Sequence, residues 1–94
     1  MPLARVVTFD GVDAERIAGL KQEIETGERP DNVPATEMII LHDATADKAV
    51  AIVFFDSEDD YVTGDAALSA MPSGDTPGER TSVTKYDVAA RMAV

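Results

Sequence analysis

The stretch Met38-Ile39-Ile40-Leu41-His42-Asp43-Ala44-Thr45-Ala46-Asp47-Lys48-Ala49-Val50-Ala51-Ile52-Val53-Phe54-Phe55 decides the fold. Two apolar runs flank the polar segment Asp43–Asp47, and a connection this short between them reads as an antiparallel hairpin. The strands predicted are Thr36–His42 and Lys48–Phe55. Successive side chains of a strand point to opposite faces of the sheet. Val50, Ile52 and Phe54 therefore take one face, and Ala49, Ala51, Val53 and Phe55 the other. In the preceding strand Met38 and Ile40 oppose Ile39 and Leu41. A sheet with one wet face shows apolar residues at one parity only. This hairpin has two apolar sides.

Upstream, Leu3-Ala4-Arg5-Val6-Val7-Thr8-Phe9 reads as a strand closed by the turn signal Asp10-Gly11. It sends Val6 to one face and Val7 and Phe9 to the other. Asp13 then caps a helix, and Glu15 suits the positive end of its dipole. Ile17, Leu20 and Ile24 form an apolar stripe opposite Lys21, Gln22, Glu23 and Glu25. Gly27 is the expected helix stop. Residues 28–35 carry two prolines and the Asp31-Asn32 pair, which read as loop.

Downstream, Ser57 caps a second helix with Glu58, Asp59 and Asp60 in its first turn. Tyr61, Ala67, Leu68 and Met71 supply its buried stripe, while Gly64 weakens the middle by about 1 kcal/mol relative to alanine. Pro72, Gly74, Pro77 and Gly78 mark a loop, and the last strand is predicted over Thr81–Met92, with Tyr86, Val88, Ala90 and Met92 on one face. The order is β-α-β-β-α-β, an α+β ferredoxin-like arrangement. One domain spans residues 1–94, with both helices on one face of a four-stranded antiparallel sheet.

Two helices cover only one face, so the other is left as an apolar patch that a self-complementary copy can close. Loops folded over the open face are the alternative cover. A chain of 94 residues with no cysteine has a modest core and no disulfide to reinforce it, and self-association is one remedy. A homodimer through the sheet face is the expectation.

Eighteen acidic against eight basic residues give a formal charge of −10, and the basic residues are scattered from Arg5 to Arg91. Such a surface repels phosphate backbones, so no nucleic-acid partner is expected. The longest apolar stretches fall far short of the roughly 20 residues of a membrane helix, and no signal peptide is visible. A cytoplasmic location without membrane contact is the expectation.

The hairpin Met38–Phe55, the capped helix after Phe55 and the strand around Thr81-Ser82-Val83-Thr84-Lys85-Tyr86 together resemble the dimeric α+β barrel superfamily. Within it the chain is most similar to small bacterial proteins related to the antibiotic-biosynthesis-monooxygenase group. The resemblance covers nearly the whole chain and implies protomers packed sheet to sheet. Members include cofactor-independent oxygenases of polycyclic phenols, haem-degrading enzymes, lactone isomerases and proteins without known chemistry. Fold alone therefore leaves function open.

His42 is the only histidine, which removes triads of two histidines and HExxH sites. It reads either as a base or hydrogen-bonder in a pocket, or as a satisfied histidine at a strand end. Haem-binding relatives take their axial histidine from a helix, whereas His42 falls on a strand. Oxygenase relatives hold phenols with asparagine, tryptophan and arginine; tryptophan is absent here, and Asn32 reads as a turn-former. Arg5 and Tyr86 fall on adjacent strands, where each reads as a ligand contact or as an ion pair and packing residue. Asp56, Glu58, Asp59 and Asp60 lack the spacing of a calcium loop and fit a helix start, so neither metal nor other cofactor is expected. Two functions remain: a homodimer that binds a small hydrophobic molecule without catalysis, and a cofactor-independent monooxygenase or isomerase using His42, Arg5 and Tyr86 on an aromatic substrate.

Overall fold

The computed structural model describes residues 2–25, 33–70 and 78–92. The chain runs β1 (Leu3–Asp10), α1 (Ala14–Glu25), β2 (Glu37–Asp43), β3 (Lys48–Phe55), α2 (Glu58–Ser69) and β4 (Glu79–Asp87). The strands form one sheet in the order β2-β3-β1-β4, and every neighbouring pair is antiparallel. The βαββαβ order read from the sequence is thus the observed one. Expectations for Gly27, Asn32 and Met71 lie outside the described residues.

Local chemistry explains four of the boundaries. Gly11 takes a positive φ of 69° after β1, which a side chain would resist. Asp13 Oδ1 accepts the Arg16 N–H at 2.8 Å and so caps α1. Asp43 Oδ1 accepts the N–H groups of Thr45 and Ala46 at 3.1 Å, which folds the β2–β3 turn. Ser57 Oγ accepts the Asp60 N–H at 3.2 Å and caps α2.

Strand β4 corrects the sequence reading: it ends at Asp87 rather than Met92. Its partner β1 begins at Leu3, which faces Asp87, and the residue before Leu3 is Pro2. Proline has no N–H for the ladder. A single bond from Val88 N–H to the Pro2 carbonyl, 3.0 Å long, closes the pairing.

Register assigns each side chain to a face. On the helix side the cross-strand rows are Met38–Val53–Arg5–Lys85, Ile40–Ala51–Val7–Val83 and His42–Ala49–Phe9–Arg80. Ile17 of α1 packs on Val7, Phe9, Val12, Ala49 and Ala51, and Tyr61 and Leu68 of α2 pack with Leu3, Val53 and Phe55. Both helices therefore serve the same face. The opposite face carries the rows Glu37–Phe54–Ala4–Tyr86, Ile39–Ile52–Val6–Thr84 and Leu41–Val50–Thr8–Ser82.

Gly64 has a packing role. A Cβ there would lie 2.3 Å from Phe55 Cε1, so the helix approaches the sheet only because position 64 has no side chain. Phe55 is fully buried and meets Tyr61 edge to face, with centroids 5.4 Å apart.

Candidate functional site

The three candidate residues occupy three settings. Arg5 lies on the helix side of β1 and is 4% exposed. Its Nε donates to Asp65 Oδ1 at 2.8 Å and its Nη2 to Ser69 Oγ at 3.3 Å, both on α2. His42 lies on the same face, four residues along and two strands across, about 16 Å away at ordinary sheet spacing. Its Nε2–H donates to the Val12 carbonyl at 2.8 Å, so it ties β2 to the turn before α1. A nitrogen that holds its proton in this bond is not a free base. Tyr86 pairs with Ala4 rather than Arg5, which puts it on the helix-free face, 55% exposed. Arg5 and Tyr86 do sit on adjacent strands, yet the sheet separates their side chains.

Around Arg5 the helix side holds a polar cluster that joins β1, β4 and α2. Asp65 neutralises the buried guanidinium, and Lys85, in the next strand, lies 5.0 Å over the Tyr61 ring and pairs with Glu58. Burial first, then the nearby Asp65 carboxylate, holds the Tyr61 hydroxyl above its usual range. The hydrogen bond to Glu58 raises Lys85 likewise. Every cation named here already has a carboxylate, and the cluster locks α2 to β1 and β4.

Both shifts are upward, so their stabilisation is complete below the unfolded values of 10.0 and 10.5. It is lost as pH rises through the folded values. Chemical denaturation from pH 8 to 11.5 is therefore expected to show a decline beginning near pH 10. In Tyr61→Phe the decline should be shallower.

The helix-free face is the other distinctive surface. Of the twelve positions in its three rows, only Glu37 is charged, and it pairs with Arg91. Leu41 is 52% exposed and Ile39 36%. A charged row, Asp43–Lys48–Asp10–Glu79, bounds the apolar area at one end, with Lys48 Nζ 3.7 Å from Asp10. Near that end Thr8 Oγ1 lies 2.6 Å from both Thr81 Oγ1 and Ser82 Oγ, where a bulge shifts the β1–β4 register.

No family model, curated protein or solved structure matches the chain. The site therefore rests on its own geometry.

Sequence reasoning missed Asp65 as the partner of Arg5, because a contact between residues sixty apart leaves no local pattern. It also missed Arg91, read as a late strand residue, whose guanidinium stacks on Phe54. Among the described residues no helix is long and apolar enough to cross a membrane.

Proposed function

We propose that this chain is a self-pairing domain, one protomer of a dimeric α+β barrel whose two helix-free faces close on each other. The observation that carries this is the face itself: three rows that are apolar along β2 and β3 and carry uncharged hydroxyls along β4, with one neutralised carboxylate, bounded by a charged row. Four strands of about eight residues cover about 500 Å² per copy, or about 1,000 Å² in a pair. That is the lower limit of a specific interface. An apolar centre with charges at its edge is the usual anatomy of such surfaces.

Two copies each carrying −10 repel at long range, while the contact itself is apolar. Added salt screens the repulsion without weakening the contact. In sedimentation equilibrium the mass is expected to approach twice 10.0 kDa, and pairing should tighten several-fold between about 20 and 200 mM salt. A mass of 10.0 kDa at every concentration would end this reading.

The domain binds a small hydrophobic molecule on its helix side. Beneath α1 the sheet carries the small residues Ala49 and Ala51 beside Val7 and Phe9, and Met38 at the β2 edge is 48% exposed. An apolar molecule entering there meets Ile17 and Ile40. Ala51→Leu enlarges a side chain of that surface and is expected to weaken uptake of an apolar fluorescent dye about tenfold, roughly 1.4 kcal/mol. Equal uptake by both proteins would remove the ligand from the proposal. His42, Arg5 and Tyr86 have no common space for one substrate, and no reaction is proposed.

A further inference from the structure

Val88–Arg91 stays on the molecule after β4. Val88 N–H bonds to the Pro2 carbonyl, and the chain then crosses the helix-free face at its Phe54 end. The Arg91 guanidinium carbon sits 4.4 Å from the Phe54 ring centroid, and Nη2 pairs with Glu37. Since β4 and β2 are the two edges of the sheet, the segment starts at one edge and its Arg91 side chain reaches Glu37 on the other.

These contacts do not hold the segment by themselves. Both members of the ion pair are about half exposed, and such pairs contribute little. One cation–π contact adds a modest amount. Fixing the backbone and side chains of Ala89–Met92 costs more than the two together. The outer side of the segment is also apolar: Ala89 and Ala90 are exposed, and Met92 is 82% exposed. A further surface is needed over it.

Charge points the same way. Glu37 is the one ionised residue in the three rows, and a lone carboxylate would be costly to cover. Paired with Arg91, it can be covered.

We infer that Val88–Met92 is an interface arm, laid across its own sheet by Arg91 and covered on its outer side by a second copy of the chain. The inference rests on the proposed sheet pairing and adds which residues outside the sheet enter it. The arm replaces the Phe54 end of the strand surface with its own outer side, so the contact includes Ala89, Ala90 and Met92.

The test uses the full chain with Arg91→Ala and Arg91→Lys. The dissociation constant of the pair should rise at least tenfold in Arg91→Ala and less in Arg91→Lys, which keeps the charge and loses the flat stacking face. In protein with labelled methionine methyls, Met92 should become protected from a soluble paramagnetic probe as pairs form. Met38, on the helix side, should stay accessible. A dissociation constant within twofold of the parent overturns the inference, as does a tighter Arg91→Ala pair. So does a Met92 methyl equally accessible in both states. If the unaltered chain never pairs, the sheet pairing itself has failed, which is a separate result.

Discussion

Ile52→Lys is expected to leave a folded monomer of 10.0 kDa at concentrations where the parent chain is paired. Ile52 stands mid-row on the helix-free face, between Ile39 of β2 and Val6 of β1. In a lone protomer the lysine stem can lie along these neighbours with its ammonium in water. In the pair the two-fold repeats the substitution, and two ammonium groups must leave water without partners. The dissociation constant should rise at least 100-fold, about 2.8 kcal/mol at 1.4 kcal/mol per tenfold. Val62→Lys is the control: Val62 is 60% exposed on α2, away from the face, and its replacement should leave pairing unchanged. Equal effects of the two substitutions would contradict the placement of the interface.

Gly64→Ala is expected to destabilise the fold by about 3 kcal/mol, against the direction of helix propensity. Alanine should gain about 1 kcal/mol over glycine inside a helix. The new Cβ, however, falls 2.3 Å from Phe55 Cε1 and 2.5 Å from Cζ. The ring is fully buried and seated edge-on against Tyr61, so either it leaves that contact or α2 lifts from the sheet. For a domain of this size the melting temperature should fall by about 12–24 °C. Phe55→Leu shortens the obstructing side chain. The double substitution should therefore cost less than the sum of the two single ones, a positive coupling that a cycle of denaturation curves measures. Additive losses would show that the clash is relieved some other way.

Strand β3 was legible to the residue, Lys48–Phe55, because Val50, Ile52, Val53, Phe54 and Phe55 favour a strand and polar segments bound it on both sides. Its two apolar parities also forecast the apolar helix-free face, since side-chain direction in a strand needs no tertiary information. Strand β4 was placed too far along. Thr81–Met92 alternates acceptably, but the length of a strand depends on its partner, and β1 runs out at Leu3 beside Pro2. Gly64 read as a weakness of α2, whereas its reason is the Phe55 ring beneath it.

The candidate site was less legible. Strand parity put His42 with Met38 and Ile40, as the register confirms, but its bond to the Val12 carbonyl joins residues thirty apart. Arg5 and Tyr86 were placed on adjacent strands correctly, but one position of register puts them on opposite faces. Arg91 carried no signal, because its partners Phe54 and Glu37 belong to other strands and the alternation of Val88, Ala90 and Met92 read as a continuing strand.

The most direct measurement mixes isotope-labelled and unlabelled copies and records magnetisation transfer between them. Cross-peaks from the Ile39 and Ile52 methyls to the partner copy, with none from Val62 on α2, are the expected result. Cross-peaks at α2, or none at any concentration, would mean that the helix-free face is not where two copies meet.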